Sequence, residues 1–89
     1  MPAAALIHLE VVCPERVALD MEVEEVVLPG VHGEVGILPG HRPLITSLQD
    51  GALRVRRDGA EQVFTICRGF AEVSHDRVVV LVERCESTT

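Results

Sequence analysis

Lysine, tryptophan and tyrosine are absent from this sequence of 89 residues: all 8 basic residues are arginine, and 2 phenylalanines are the only aromatic side chains. Without lysine the chain cannot form a Walker A phosphate-binding loop, because that loop needs a lysine that reaches the β and γ phosphates. The 14 acidic residues give a formal net charge of -6 at pH 7. That charge and the shortage of rings for base stacking argue against nucleic acid or an anionic membrane surface as a direct partner.

The 3 cysteines are Cys13, Cys67 and Cys85, an odd set without a CxxC pair. Such a set suggests neither a disulfide framework nor a zinc knuckle, and a reducing, cytosolic setting suits it best. No apolar run approaches the roughly 20 residues of a membrane span, and the start lacks the positively charged region of a secretory signal. We therefore expect a soluble chain.

The apolar content is sufficient for one hydrophobic core. Hydrophobic residues make up 47% of the chain and the mean hydropathy is +0.27, which favours a folded domain over a disordered chain. A chain of this length has room for a single domain, so residues 1–89 are predicted to fold as one unit. Residues 86–89 are predicted to be a frayed tail.

Alternating apolar and polar residues predict short β-strands. Residues 6–12 are interpreted as a strand whose odd positions face the core, and Pro14 ends it. Odd positions are apolar again from Val17 to Val23, so Val17 is expected on the buried face. The apolar positions then become even, which predicts a bulge or a break near Glu24 or Glu25.

Turn signals divide the rest of the chain into further strands. Asp50-Gly51 is interpreted as a turn, Asp58-Gly59-Ala60 as a hairpin turn because Asp-Gly supplies positive φ, and residues 74–77 as a second hairpin. No segment has a sustained helical period. The predicted fold is all-β: a single antiparallel β-sandwich or flattened barrel of about eight to ten short strands.

Residues 33–45, GEVGILPGHRPLI, combine glycines and prolines between two apolar runs. The glycine spacing does not match GxGxxG, and no helix follows to hold a phosphate at its N-terminus. Glycine permits positive φ and proline fixes φ at about -65°, so the segment can be rigid without a hydrogen-bonded ladder. We interpret it as an exposed, pre-shaped loop that recognises a partner.

Two sets of side chains could carry chemistry, and each has a simpler interpretation. His32, Glu34 and His41 would suit zinc, but nothing in the sequence brings them together, which favours hydrogen-bonded loop side chains. Cys67 with His75-Asp76 would suit a nucleophile and its base, but the thiol falls inside a predicted strand. We therefore expect no catalytic residue, no metal and no cofactor.

Charged residues also cluster on two predicted strands. Glu22 and Glu24 share a parity, which indicates a solvated face rather than a general acid and base. Arg54, Arg56 and Arg57 form a small basic group, interpreted as protection of an exposed strand edge. Neither group indicates an enzyme, which leaves a binding or assembly module.

The run VVLPGVHGEVGILPGHRPLITSLQDGALRV, residues 26–55, closely resembles the amino-terminal β-sandwich of the epsilon subunit of F-type ATP synthases. The similarity extends upstream to VVCPERV, residues 11–17, and downstream to GFAEVSHDRVVVL, residues 69–81. It therefore covers roughly residues 6–82. The length of the run and its fixed glycine and proline spacing make the resemblance specific.

The resemblance implies a non-catalytic part of the central stalk, which packs against the gamma subunit, rests on the c-ring and transmits ion-driven rotation to the catalytic head. It also implies a peripheral position on the cytoplasmic face of the bacterial inner membrane, without insertion into the bilayer. Carried over by position, one loop would face the c-ring and a second segment would face gamma. The c-ring residues would be Val31, His32, Gly33 and Glu34. The gamma residues would be His41, Arg42 and Thr46.

The sequence departs from the family pattern at three points. Arg42 stands where members commonly have alanine, and Arg68 where they commonly have glycine. Members also continue into a carboxy-terminal helical hairpin associated with ATP sensing and inhibition of hydrolysis, whereas this sequence ends at Thr89, so neither activity is assigned. The alternative to a rotor subunit is a stand-alone β-sandwich that binds a peptide or small ligand.

Overall fold

A computed structural model describes residues 5–88, which form ten strands. The strands are β1 (Ile7–Cys13), β2 (Arg16–Val23), β3 (Glu25–Gly30), β4 (Gly33–Ile37), β5 (Leu44–Leu48), β6 (Gly51–Arg57), β7 (Ala60–Ile66), β8 (Gly69–Ser74), β9 (Arg77–Val82) and β10 (Cys85–Ser87). They pair in the order β10-β7-β6-β3-β5-β8-β9-β1-β2, and β4 also pairs with β3. Neighbours are antiparallel except β1 and β9. The predicted all-β class is confirmed.

Three long strands, each bent once, make up most of the sheet. β5 continues into β6, β7 into β8, and β9 into β10. The junction residues are 49–50, 67–68 and 83–84. The pairing register is the same on both sides of the junctions: Leu48 lies opposite Gly69, and Gly51 lies opposite Ile66. The sheet therefore folds over along one line, here called the fold line, and its two halves enclose the core.

The parity of the buried residues changes at the fold line. The buried residues before it have even numbers and those after it odd numbers in β5–β6 and in β9–β10, as in Leu48 and Leu53. The same change separates Ile66 from Ala71 in β7–β8. The prediction of a turn at Asp50-Gly51 is therefore wrong, because the chain bends there without leaving its partner strand.

Backbone groups at the fold line find partners although the ladder is interrupted. The N–H of Arg68 donates to Oδ1 of Asp50 over 2.7 Å, and the N–H of Cys67 donates to the carbonyl of Arg84 over 3.2 Å. An unpaired buried backbone group costs about as much as a lost hydrogen bond. These bonds therefore stabilise the bend.

The core consists of apolar side chains from both halves of the sheet. Among residues 5–88, no buried residue is polar or charged. Leu9, Leu28 and Leu53 are among the side chains without exposed surface. Each fully buried side chain of this kind stabilises the fold by about 1.5–3 kcal/mol relative to exposure. Burial of aliphatic surface is therefore the main force that holds the two halves together.

The first two strands agree with the predicted pattern except at Val17. β1 ends just before Pro14, and Glu24 separates β2 from β3, which confirms the predicted break. Val17 is 54% exposed, so its predicted burial is wrong. The register shifts between Val11 and Val12, and this bulge sets Val17 opposite Val12 on the outer face.

The segment interpreted as a loop without a ladder is partly a strand. β4 pairs with β3 from Val26 opposite Ile37 to Gly30 opposite Gly33. The expectation is therefore wrong for residues 33–37, where glycine and valine hold an extended backbone. Residues 38–43 lie outside the strands, as expected of the remaining part.

Two further expectations are wrong because of strand order. Arg54, Arg56 and Arg57 do not protect an edge, since β6 lies between β3 and β7. Residues 86–88 are not a frayed tail: β10 extends the register of β9 past the fold line and pairs with β7, and the N–H of Thr88 donates to the carbonyl of Val63 over 3.2 Å. Residue 89 lies outside the described part of the chain.

Candidate functional site

The β3–β4 hairpin carries the four residues expected to face the c-ring. Val31 and His32 form its turn and are exposed, and Gly33 follows with a φ of 123°. Side chains other than hydrogen are strained at this φ. A Cβ on Gly30 would lie only 2.6 Å from the carbonyl oxygen of Gly33, so the base of the turn is equally tight. The hairpin tip is therefore short and stiff, and the N–H of Val31 joins it to β5 by donating to the carbonyl of Ser47 over 3.0 Å.

Glu34 lies on the side of this hairpin and is held by an arginine from β6. Nη2 of Arg54 donates to Oε1 of Glu34 over 3.0 Å. Arg56 pairs with Glu25 in the same way. Because the side chains of both pairs are partly exposed, each pair contributes about 0–1 kcal/mol to stability. The Arg54–Glu34 pair links β4 to β6 across β3, and the Arg56–Glu25 pair links β3 to β6.

The segment before β5 is a turn fastened to a distant hairpin. The N–H of His41 donates to the carbonyl of Leu38 over 3.1 Å, and Gly40 has a φ of 85°. The N–H of Gly40 donates to Oδ1 of Asp76 over 2.6 Å. Asp76 belongs to the turn between β8 and β9, where its own φ is 57°. One carboxylate thus positions the turn that presents His41 and Arg42.

The three residues expected to face gamma differ in exposure: Arg42 is exposed, whereas His41 and Thr46 are half-buried. Nδ1 of His41 lies 2.7 Å from the carbonyl oxygen of Arg42, so the neighbouring pair forms one local unit. Thr46 is half-buried and shares its parity with Leu44 and Leu48 on the inner side of β5. Its neighbour Ile45 points outward instead and is 73% exposed. On β5, Ile45 is thus better exposed to a partner than Thr46.

A row of four apolar residues and one serine crosses five strands on the outer face of this half of the sheet. In order from β5 to β2 its members are Ser47, Phe70, Leu81, Val12 and Val17. We call it the outer row. Phe70 is 58% exposed and Leu81 51%. Large apolar side chains exposed side by side indicate an interaction surface. This row could not be predicted from the sequence, because it depends on pairing between strands far apart in the chain.

A groove of about 680 Å³ runs along the outer row. Val12, Phe70 and Leu81 line it, together with Arg68 and Glu83 from the fold line. The next row of the sheet, here called the acidic row, consists of Ile45, Glu72, Val79, Glu10 and Asp20. An apolar strip beside carboxylates complements a partner surface that is apolar with a basic rim.

The residues considered for chemistry are not assembled into a site. Among residues 5–88, no group of three or more His, Cys, Asp and Glu side chains could hold a metal ion, and this applies to His32, Glu34 and His41. Cys67 lies at the fold line, whereas His75-Asp76 lies in the turn at the other end of β8. About 26 Å of extended chain separates Cys67 from His75. No helix in the described part of the chain is long and apolar enough to cross a membrane.

Sequence comparisons identify relatives of known type. Residues 6–88 match the family model described as ATP synthase, Delta/Epsilon chain, beta-sandwich domain. The chain is 51% identical over 80 residues to the ATP synthase epsilon chain of Carboxydothermus hydrogenoformans. It is 42% identical over 84 residues to the chloroplastic ATP synthase epsilon chain of Phaeodactylum tricornutum. These alignments cover 90% and 94% of this chain, but only 60% and 63% of the two relatives.

Two solved structures contain similar chains. One is the Euglena gracilis mitochondrial ATP synthase, OSCP/F1/c-ring in rotational state 1, with a TM-score of 0.88 and 26% identity over 93% of this chain and 54% of that chain. The other is the central stalk/c-ring of the Tetrahymena thermophila mitochondrial ATP synthase, with a TM-score of 0.75 and 13% identity over 89% and 64% of the two chains. The second likeness concerns the fold alone.

The resemblance found in the glycine and proline pattern is therefore confirmed independently by the family match, by the identity to the bacterial relative and by the Euglena structure. The matched region includes the β3–β4 hairpin, the turn at Gly40 and the outer row. The chain belongs to the ATP synthase delta/epsilon family, as the β-sandwich domain of an epsilon chain.

Proposed function

We propose that the chain is a non-catalytic central-stalk subunit of an F-type ATP synthase, which docks to the gamma subunit and to the c-ring and couples ion-driven rotation to ATP synthesis. The epsilon-chain relatives and the two ATP synthase structures support this role. The observation that carries the proposal is the outer row, an exposed apolar strip on a rigid sheet. A second surface, the tip of the β3–β4 hairpin, begins beside Ser47 at the end of the outer row, where the N–H of Val31 donates to the carbonyl of Ser47 over 3.0 Å, and would meet the ring.

The gamma surface would combine the turn at His41 and Arg42 with the outer row and Ile45. Phe70, Leu81 and Ile45 are each more than half exposed, and aromatic side chains such as Phe70 are enriched at protein interfaces. Both the sheet and the Asp76-anchored turn are ordered before association, which lowers the entropy cost of docking. Thr46, half-buried beside Ile45, would contribute at the margin.

The c-ring surface would be the hairpin tip, with Val31, His32 and Gly33 in contact and Glu34 beside them. Its exposed side chains are few and partly polar, and its backbone is fixed by the tight pairing of Gly30 with Gly33. A stiff tip transmits torque without bending, which suits a contact that must rotate together with its partner. Glu34 already accepts from Arg54, so its carboxylate has a defined position.

The expected location is the cytoplasmic face of the bacterial inner membrane, where the chain would be peripheral and held by the complex. Bacterial epsilon chains are among the relatives, and chloroplastic ones are as well. No cofactor is needed for this role, because the proposed contacts are apolar, ionic and hydrogen-bonding groups of the chain itself.

Two matched substitutions test the division of labour. Phe70→Glu adds a charge at the centre of the outer row and should weaken binding to an isolated gamma subunit by about 30-fold or more. Val31→Asp adds the same charge at the hairpin tip, which should leave gamma affinity within about 3-fold. In membranes that contain the complete enzyme, Val31→Asp should reduce ATP-driven ion pumping.

Circular dichroism and thermal unfolding of both variants control for loss of fold. The assignment of surfaces fails if the two variants weaken gamma binding equally. If neither substitution affects gamma binding or pumping, the alternative of a stand-alone module that binds a peptide or small ligand in the 680 Å³ groove becomes the better account.

A further inference from the structure

The two ends of the sheet meet at one point of the fold. β2 and β10 are the first and last strands in the pairing order. Nevertheless, Nη2 of Arg16 at the start of β2 donates to the carbonyl of Cys85 at the start of β10 over 3.1 Å. The sheet is therefore nearly closed there. We call the contact region, residues 13–16 with residues 83–86, the seam.

Two thiols lie at the seam. Cys13 is the last residue of β1 and continues the inward-facing positions of that strand, and Cys85 faces the core from β10. Both are buried, both belong to the same core cluster, and both line one cavity of about 410 Å³. The other residues that line it are exposed: Pro14, Glu15, Arg16, Glu83, Arg84 and Glu86. A small solute can therefore approach the pair from solvent.

Cys13 lies close enough to Cys85 to affect the pKa of the Cys85 thiol. Burial raises the pKa of the Cys85 thiol, and the charge of Cys13 raises it further. Arg16 lowers the pKa of Cys85 and Glu86 raises it, but burial is the largest cause. A protonated thiol is a poor nucleophile, so oxidation at this site is slow at neutral pH and accelerates with rising pH.

We propose that Cys13 and Cys85 form a reversible thiol–disulfide site that fastens the seam when a small disulfide of the glutathione class is in excess. One cysteine thiolate attacks the reagent disulfide and releases one thiol, and the other cysteine then displaces the second thiol from the mixed disulfide. One S–S bond forms in the protein and one breaks in the reagent. The two protons from the cysteines leave on the two released thiols. This proposal does not rest on the proposed role in the stalk, although Cys13 and Glu83 also line the groove along the outer row.

The expected effect of the bond is large because it closes a long stretch of chain. Residues 13 and 85 lie near opposite ends of the described part of the chain, so the cross-link constrains most of the unfolded state. The cross-link should raise the Tm by at least about 10 °C. It should also slow hydrogen exchange in β2 and β10, the two strands that the seam joins.

Cys67 provides an internal control. Cys85 lies opposite Ile66, and both of these side chains are buried. Cys67 lies just past the end of β7 at the fold line, is only half-buried and does not line the cavity that Cys13 and Cys85 share. The fold therefore predicts a bond between Cys13 and Cys85 and none that includes Cys67, although Cys67 is much nearer to Cys85 in sequence.

The test uses the whole chain in a series of mixtures of reduced and oxidised glutathione. The proposal predicts the loss of two hydrogens from the intact mass, a cross-linked peptide pair that contains Cys13 and Cys85, and the rise in Tm. Cys67→Ser should behave like the natural chain. Cys13→Ala and Cys85→Ala should each abolish the internal bond and the Tm rise, and circular dichroism of the reduced variants controls for folding.

If either alanine variant does not fold, the mass, the cross-linked peptides and the Tm of the natural chain still test the pairing. Linkage of Cys67 to either other cysteine would overturn the proposed pairing. So would attachment of glutathione to the cysteines without an internal bond in every mixture, or an unchanged mass throughout the series. A correct Cys13–Cys85 bond that lowers the Tm would overturn the claim that the bond fastens the seam.

Discussion

Gly69→Ala is expected to destabilise the domain far more than its single methyl group suggests. An added Cβ would lie 1.9 Å from the carbonyl oxygen of Leu81 and 2.9 Å from Cγ1 of Val82. Real Cβ atoms essentially never approach other atoms within 3.0 Å. Both neighbours belong to β9, which pairs with β8 beginning at Gly69 opposite Val82. The two strands must therefore move apart where they leave the fold line.

The cost has two parts. Overpacking of this kind typically costs about 1–3 kcal/mol. Each backbone hydrogen bond weakened by the separation adds about 1 kcal/mol. A total of about 3 kcal/mol is a large share of the roughly 4–13 kcal/mol expected for a chain of this length. It corresponds to a fall in Tm on the order of 10–20 °C.

Urea unfolding followed by circular dichroism measures this loss, and Gly36→Ala is the matched control. The nearest atom to a Cβ on Gly36 is Oε2 of Glu25 at 3.9 Å, and Gly36 does not have a positive φ. Its free energy of unfolding should change by less than about 1 kcal/mol. Equal midpoints for the two variants would refute the claim that close approach of strands at the fold line requires glycine.

Three further outcomes follow from individual contacts. Asp76→Ala removes the acceptor for the N–H of Gly40 and should lower the free energy of unfolding by about 1 kcal/mol in urea titrations, whereas Asp76→Asn keeps an acceptor and should cost less; equal costs would contradict this. Glu34→Ala breaks the pair with Arg54 and should lower the free energy of unfolding by less than about 1 kcal/mol at low salt and leave it unchanged at high salt. A loss of stability that persists at high salt would contradict this. Burial raises the pKa of Cys85, so the folded state holds the thiol proton more tightly than the unfolded state. The contribution of Cys85 to the free energy of unfolding should therefore be fully present below the ordinary thiol pKa of about 8.5 and decrease above it. Cys85→Ala should have a flatter dependence of stability on pH, and identical pH dependences would argue against the shift.

The strands could be predicted from the sequence because side chains alternate between the core and solvent. The period-2 pattern correctly located β1 and the break at Glu24, and the Asp-Gly pair correctly located the turn after β6. In that turn Asp58 and Gly59 both have positive φ, at 53° and 77°. These features are local, since each depends on a few consecutive residues.

The fold line could not be predicted in the same way. A change of parity such as that between Leu48 and Leu53 has the same appearance in sequence whether the chain reverses or bends. β4 could not be predicted either, because residues 33–37 are rich in glycine, and glycine is compatible with both a loop and an extended strand. Deciding between these possibilities requires the partner strand.

The interaction surfaces were only partly predictable. The resemblance to a family selected the hairpin tip and the turn at His41, and these stay predictions about contacts. The outer row was missed because Leu81 sits in a continuous apolar run and Phe70 in a short strand, and only the parallel pairing of β1 with β9 sets Leu81 beside Val12. The Cys13 and Cys85 pair was missed for the same reason, since the seam joins opposite ends of the chain.

A binding titration of this chain with an isolated F-type gamma subunit tests the central claim most directly. The rotor account predicts a saturable one-to-one complex that His41→Ala weakens, because His41 would belong to the gamma surface. An interface of ordinary size is expected to have a dissociation constant well below about 10 μM. The absence of binding at tens of micromolar would contradict the stalk role and leave the fold and the family membership as the remaining conclusions.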